Sequence, residues 1–385
     1  MQNRQVIVIG GGMVGALTAL LLAQQGHIIH LVEKNPGLKP LKNDPFDLRV
    51  SAFSAQSKDL LELAGVWSKI PENRLCAYQG LQTWEKNSQK LKFDSLEIDL
   101  DALGYIAENS WVQAVLWQAL KELSNVTFYE NRSVKDVLNT HKSVRVTLDN
   151  QQQIEGQLLI ACDGANSSVR RLLNIGVTAW DYRQECLLIT IKTDCPEQNI
   201  TWQEFRETGP CAFLPLAENN ACLVWYHSPQ KIAYLSSLSS TQLKQAIVDE
   251  FAPLEFDFEV VDKGSFPLTR LHAQDYFKGR CVLLGDAAHT INPLAGQGVN
   301  LGFKDAQCLV DLLQHSSDLP MQTLLKRYQW QRKPANLVMQ TAMDMFYKVS
   351  KSELGAVRLI RKNVLGLAQK SGPLKNKVMK YAMGL

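Results

Sequence analysis

The stretch that most constrains the fold lies near the start. Gln5-Val6-Ile7-Val8-Ile9 is followed by Gly10-Gly11-Gly12-Met13-Val14-Gly15 and an apolar run from Ala16 to Gln25. A second apolar run, Ile28 to Val32, ends at Glu33. Strand, G-x-G-x-x-G turn, helix, strand and acid in that order predict a βαβ unit that binds a dinucleotide. Gly10 permits the tight turn, Gly12 lets the backbone approach a pyrophosphate, and Gly15 lets the helix pack on the strand. Met13 and Val14 complete the candidate loop. Glu33 stands about twenty residues on, where an acid accepts from ribose hydroxyls. Val6 to Ala23 approaches the length of a membrane span. Its clustered glycines and the strand–acid pattern after it argue against a span, and it lacks the cleavage site of a signal peptide.

A second informative segment runs from Gly285 to Asn300, through Asp286, His289, Pro293, Gly296, Gln297, Gly298 and Val299. It follows the strand-like Cys281-Val282-Leu283-Leu284 and precedes a helical stretch, Leu301 to Leu313. A strand that ends in an acid and loops into a helix start sets a carboxylate beside free backbone N–H groups. A polyol bonds to the former and an anionic ring sits at the latter.

The 385 residues suffice for two interleaved domains, and a net charge of +3 gives no argument for nucleic acid. Eight scattered cysteines include no C-x-x-C pair, which predicts free thiols in a reducing compartment and no metal site. The cytoplasm is the expected location. A helix is expected over Ser110 to Leu123 with Ser110 as its N-cap, with strands at Val126–Tyr129, Val144–Leu148 and Leu158–Ala161. From about 182 short strands dominate: Cys186–Thr193, Thr201–Phe205, Cys211–Leu216, Cys222–Tyr226 and, after a helix at Ser240–Phe251, Phe256–Lys263. This reads as a mixed sheet inserted between portions of the nucleotide domain. After Val299 the chain reads helical.

A third motif, Asp163-Gly164-Ala165-Asn166-Ser167-Ser168-Val169-Arg170, follows the strand Leu158-Leu159-Ile160. Alone it is a common turn. With the other two, in this order and spacing, it resembles the aromatic-ring hydroxylases that use FAD, over essentially the whole chain. Within them the ubiquinone-biosynthesis hydroxylases are most similar, through Arg49-Val50-Ser51-Ala52, Val66-Trp67, Glu108-Asn109 and Phe266-Pro267-Leu268-Thr269. The subgroup that hydroxylates a demethoxyubiquinol ring is resembled in Thr201-Trp202-Gln203, Leu223-Val224-Trp225-Tyr226, Asn292 and the closing Tyr381-Ala382-Met383-Gly384-Leu385.

The resemblance implies an α/β fold of the p-hydroxybenzoate hydroxylase type. A Rossmann-type FAD-binding domain (1–76, 101–180, 267–340) would be interleaved with a mixed-sheet substrate domain (77–100, 181–266) and followed by a helical region (341–385). It implies that Arg49 and Gln113 reach the phosphates and ribityl chain of FAD and that Asp286 bonds a ribityl hydroxyl. Backbone N–H groups of Gly298 to Asn300 would face the flavin, and Asp163 would orient a loop near the pyrophosphate with Arg170 as its charged member. The reaction implied is hydroxylation of a polyprenylated benzoquinol by O2 through a flavin C4a-hydroperoxide, with NAD(P)H as a transient reductant. Catalytic candidates are His289, Pro293, Tyr226 and His227, with Thr269 and Arg270 as further phenol-orienting groups; His289 reads more readily as structural.

Lys351, Arg358, Arg361, Lys362, Lys370, Lys375, Lys377 and Lys380 interleave with apolar residues near the C-terminus. That pattern suits a peripheral helix at the inner face of a membrane, a helix packed on the flavin domain, or a docking surface for other ubiquinone-biosynthesis enzymes. Three other functions stay open: a sister hydroxylase acting at another ring carbon, a flavin oxidase or dehydrogenase without oxygen insertion, and a non-catalytic scaffold.

Overall fold

The computed structural model describes residues 3–36, 46–85, 88, 90–196, 198–251, 254, 256–291, 297–315 and 319–351, the side chains of 297 and 346–351 excepted. The described helices are α1 (Met13–Gln24), α2 (Ala55–Leu63), α3 (Asn109–Lys121), α4 (Ser168–Leu172), α5 (Pro229–Ser237), α6 (Ser240–Glu250), α7 (Gln297–His315) and α8 (Met321–Lys351).

A six-stranded sheet forms the nucleotide-binding layer. Its order is Phe277–Lys278, Cys281–Leu283, Leu158–Ala161, Gln5–Ile9, Ile28–Glu33 and Val126–Glu130. All neighbours are parallel except the Phe277–Lys278 edge, and Gln5–Ile9 pairs with Leu158–Ala161 on one side and Ile28–Glu33 on the other. Val6, Ile7 and Val8 are fully buried, as expected of a parallel strand covered on both faces. Helix α1 is apolar all round, and Gly15 to Ala23 are all buried. It is wedged between this sheet, α3 and α7, so it has no solvent face to keep polar.

The second layer is an eight-stranded mixed sheet. Its order is His289–Thr290, Phe258–Ala273, Val177–Thr193, Asn220–His227, Cys211–Pro215, Ile200–Phe205, Gly80–Glu85 and Leu91–Asp94. Alternation along the strands gives it two faces. Leu187, Ile189, Phe213, Leu223 and Trp225 pack against α5 and α6. On the other face Cys186, Ala212, Cys222, Val224, Tyr226 and Leu268 meet Phe46, Val50, Ala52 and Ile106. Val50–Ser54 and Gly104–Glu108 belong to a small three-stranded sheet with Leu75–Tyr78, so this second face is turned toward the nucleotide-binding layer.

Several expectations are corrected. Ser110 is not the N-cap of α3; Glu108 holds that position without a side-chain cap, its carboxylate taken up by the Asp47 N–H and by Arg74. Helix α5 and the strands Val134–Asn139 and Gln153–Gly156 went unseen. The strands expected at 186–193 and 256–263 are parts of two long ones, Val177–Thr193 and Phe258–Ala273. Val177–Asp181 at the start of the first is exposed throughout, and bulges interrupt the pairing of the two strands, so their full length was not marked in the sequence.

Candidate functional site

The glycine turn joins the end of Gln5–Ile9 to α1. Gly10 has φ +99°, and a Cβ there would lie 2.4 Å from the Cys162 carbonyl oxygen. A Cβ on Gly15 would lie 1.9 Å from the Gly10 carbonyl oxygen, whereas one on Gly12 would meet nothing within 4 Å. The first and third glycines are therefore demanded by the protein itself, and the second leaves open room. Gly12 is the N-cap of α1 and supplies no capping side chain, so the first-turn N–H groups, Met13 and Val14 among them, face that room uncapped by a side chain.

Glu33 ends the second strand, as read from the sequence, and braces the turn. Its Oε2 accepts from Gly11 N at 2.7 Å, and its Oε1 accepts from the backbone and side-chain nitrogens of Asn35, each at 2.9 Å. A carboxylate keeps further lone pairs beyond these bonds. Gln113 Nε2 donates to the Gly11 carbonyl at 2.8 Å, and Trp117 Nε1 donates to the same oxygen at 2.7 Å. Both stand on α3, so that helix fixes the turn from the far side. The sequence singled out Gln113 but not Trp117.

Asp286 follows the strand Cys281–Leu283 in a short 3-10 turn. Its side chain is open to water. It is also ringed by protein, and that desolvation raises its carboxyl above the ordinary value against the pull of His289 and Arg49. Arg49 is exposed and close enough to act on Asp286 electrostatically, so the fold brings the two together. The segment carrying Arg49 rests on a buried ion pair: Arg74 Nη1 lies 3.2 Å from Glu108 Oε2, beneath the ring of Phe46.

The turn around Asp286 is held by a residue the sequence reading missed. Asp305, fully buried on α7, accepts from Gly285 N at 3.1 Å, lies 2.5 Å from His289 Nε2, and accepts from Arg332 Nε at 2.7 Å and Asn336 Nδ2 at 3.0 Å. Burial opposes its ionisation, but His289, Arg332 and Asn336 outweigh it and hold the carboxyl down at about 2. An acid on the apolar stripe of Leu301, Phe303, Ala306 and Leu309 was the signal available in the sequence. His289 is likewise fully buried and stacks on Tyr276.

Asn300 side-chain atoms pin the start of α7: Oδ1 accepts from Ser54 N at 3.1 Å and Ser57 Oγ at 2.7 Å, and Nδ2 donates to the Ala52 carbonyl at 2.9 Å. A Cβ on Gly298 would meet nothing within 4 Å, and Val299 is half-buried beside it. Pro293 and Gly296 lie outside the described residues, as does the side chain of Gln297.

Asp163 Oδ2 accepts from Ser168 N, Ser168 Oγ and Val169 N at 2.7, 3.0 and 3.2 Å, capping α4. Arg170 does not project as a charged binding group. It is buried, donating to the Ala287 and Ala165 carbonyls at 2.7 Å each, and so ties the Asp-Gly turn to the Asp286 turn.

Strand alternation separates Tyr226 from His227 among the ring-orienting candidates. Tyr226 lies on the sheet face turned toward the nucleotide layer, hydrogen-bonded to Cys186; burial pushes both its hydroxyl and that thiol well up. His227 points to the other side and bonds Ser228 at the start of α5. Thr269 is exposed, and Arg270 is buried in an ion pair with Asp344.

A dinucleotide cradle facing a separate apolar sheet is the arrangement of a flavin-dependent monooxygenase. The family model for the FAD binding domain matches residues 3–342. The chain is 40% identical to the 3-demethoxyubiquinol 3-hydroxylase of Escherichia coli strain K12, over 100% of this chain and 99% of that one. It is 30% identical to the human mitochondrial ubiquinone biosynthesis monooxygenase COQ6, over 98% and 92%. Among solved structures, the p-nitrophenol 4-monooxygenase PnpA of Pseudomonas putida DLL-E4 superposes with a TM-score of 0.80 at 19% identity, over 100% and 99% of the two chains, which speaks to the fold alone. The chain belongs to the FAD-dependent monooxygenase family that contains the ubiquinone-biosynthesis hydroxylases.

Two predictions follow from this geometry. Gly12→Ala should fold, with a stability cost of about 1 kcal/mol or less, yet purify with little flavin, whereas Gly15→Ala should fail to give folded protein. Flavin absorbance per chain and thermal unfolding read both, and a Gly12→Ala variant that retains full flavin would contradict the assignment of the open room to the cofactor. Asp305→Asn leaves Arg332 and His289 short of a buried counter-charge and should lose about 3 kcal/mol of stability in urea. Because the folded carboxyl titrates near 2 rather than at the ordinary 3.8, its stabilisation is present above the ordinary value and is lost as pH falls toward 2. Parent and variant stabilities should therefore converge on acidification; a constant gap would contradict the account.

Proposed function

We propose that this chain hydroxylates the ring of a polyprenylated demethoxyubiquinol, with O2 as the oxygen source and an external reductant. The observation that carries the reading is the full-length 40% identity to the bacterial hydroxylase of that name. The apolar sheet face adds support, since it offers a dry wall for a ring opposite the cradle.

The residues fit FAD. The open room at Gly12 and the uncapped start of α1 suit the pyrophosphate, held between Gly10, Met13, Val14 and Gly15. Glu33 takes the adenosine ribose with its remaining lone pairs, Arg49 and Gln113 serve the phosphates and ribityl chain, and Asp286 receives a ribityl hydroxyl. The N–H groups of Gly298, Val299 and Asn300 stabilise negative charge on the ring edge, with Gly296 and Gln297 leading into that helix start. FAD when bound supplies the redox chemistry and the reaction with O2.

The protein's part is to position and to exclude water. Val224, Leu268 and Ala212 line the sheet face. Tyr226 keeps its proton, because burial holds its hydroxyl well up, so it orients a ring oxygen as a neutral partner and does not serve as a base. His289 is a buttress of the Asp286 turn, in keeping with its complete burial against Asp305. We read NAD(P)H as a transient reductant, with no dedicated second nucleotide unit among the described residues. A polyprenyl tail stays in the bilayer, so the enzyme works from the cytoplasm at the inner membrane face or in an assembly with other enzymes of the same pathway. No described helix is long and apolar enough to cross a membrane. The basic segment read from the sequence at 351–380 lies outside the described residues, Lys351 backbone excepted.

Complementation tests the substrate. Expression in a bacterial strain lacking its own demethoxyubiquinol hydroxylase should restore ubiquinone and deplete the demethoxy intermediate, measured by mass spectrometry. Rescue only of a strain blocked at another ring carbon would overturn the ring position while keeping the flavin chemistry.

A further inference from the structure

The first turns of α8 bury Leu324, Leu325 and Tyr328, but further along the inward side is largely polar: Arg332, Asn336, Gln340 and Asp344 recur every four residues beside the buried Met339, all turned inward except for part of Arg332. Each has a partner in the body of the protein. Arg332 and Asn336 bond Asp305, Gln340 donates to the Leu271 and Thr290 carbonyls at 2.9 Å each, and Asp344 pairs with Arg270 and Tyr182. The outward row is apolar: Trp330 is 80% exposed, Leu337 42%, Val338 57% and Met345 66%. Pro334, Ala335, Thr341 and Ala342, all exposed, fill the same arc without a charge. Such a face is the reverse of what a helix on a water-soluble surface shows.

The exposed charges of α8 itself are positive. The only acid of α8, Asp344, is buried in its ion pair, while Lys326 and Arg327 are exposed at the N-terminal end and Lys333 stands on the rim. A cleft of about 290 Å³ adjoins the rim, lined by Thr178, Arg270, His272, Lys333 and Leu337 among others. Arg270 Nε and His272 Nε2 are buried there without partners. Gln340 uses its amide N–H groups on two carbonyls, so its oxygen accepts from His272 Nδ1 at 2.7 Å, which leaves Nε2 as a bare acceptor. Burial, together with the nearby His289, Lys333 and Arg270, keeps this ring neutral. Lys333 spends one of its three donors on the Gln274 carbonyl. The cleft thus offers the Lys333 ammonium and the unpartnered Arg270 Nε to a phosphate, the Arg270 charge being shared with Asp344, and one acceptor for an adjoining hydroxyl or ammonium. A phospholipid headgroup carries both.

We propose that the outer face of α8, with the adjoining Arg270–His272–Lys333 cleft, docks on the surface of an anionic phospholipid bilayer. Trp330, Leu337, Val338 and Met345 enter the acyl boundary, and the cleft receives a headgroup phosphate. The proposal deepens the functional reading and takes its purpose, access to a prenylated quinol, from it; its geometry is independent of the substrate.

The test is flotation of the full-length, FAD-loaded protein with vesicles of phosphatidylcholine alone or mixed with phosphatidylglycerol. The parent should float with the anionic vesicles, less so at high salt. Val338→Glu combined with Met345→Glu should cut binding at least about tenfold, with flavin content and melting unchanged, and Lys333→Glu should weaken binding to the anionic vesicles selectively. A parent that does not float, or a double variant that floats like the parent because residues 351–380 alone carry binding, overturns the proposal. A double variant that turns a dimer into a monomer by light scattering without changing flotation assigns the face to a second copy and also overturns it. Turnover of a short-chain demethoxyubiquinol, which needs no membrane, separates the two claims. Turnover without flotation sinks the docking surface alone, and flotation without turnover sinks the substrate alone.

Discussion

Asp305 ties together the segments on which the site stands. One buried carboxylate accepts from the backbone of the Asp286 turn, meets His289 on the strand after it, and anchors α8 through Arg332 and Asn336. Its location on α7 couples that turn to the start of the same helix. A buried ion cluster of this kind adds little net stability compared with an apolar core, but it is costly to break and admits only one arrangement. Here that arrangement fixes where Asp286 opens to solvent.

The two ends of the cradle are assembled by comparable means. Glu33 and the α3 side chains Gln113 and Trp117 grip Gly11 from both sides, so the glycine turn is shaped before any ligand arrives. Arg170 then links the Asp-Gly turn to the Asp286 turn through two backbone carbonyls. Preformed donors at both helix starts suit a cofactor that gains negative charge on reduction. The eight-stranded sheet divides its labour by side-chain alternation: one face is sealed by α5 and α6, and the other is kept apolar toward the cradle.

Much of this was legible in the residues. The strand–glycine–helix–strand–acid order placed Gly10, Gly12, Gly15 and Glu33 because it depends on local sterics and periodicity. The Asp286 turn could be read for the same reason. What escaped was set by distant partners. Asp305 and Arg332 are 27 residues apart and on different helices, and nothing local announces their pairing. Ser110 looked like a cap because the sequence cannot show that Glu108 already holds that position over its buried partner Arg74. Arg170 looked like a binding cation, and only the packed fold shows its guanidinium spent on carbonyls. Tyr226 and His227 were both named as candidates, and adjacent strand residues face opposite ways, so they do not share a site. The inverted amphipathicity of α8 is visible as a period in the sequence, but which side faces in depends on Asp305, Gln340 and Asp344 finding their partners.

The measurement that bears most directly on the account is the fate of isotopic oxygen. The FAD-loaded protein, given a short-chain demethoxyubiquinol, reductant and ¹⁸O2, should place one labelled oxygen on the ring for each reductant consumed. Reductant consumption that yields labelled hydrogen peroxide and an unlabelled, unhydroxylated quinol would make the chain an oxidase and contradict the monooxygenase reading.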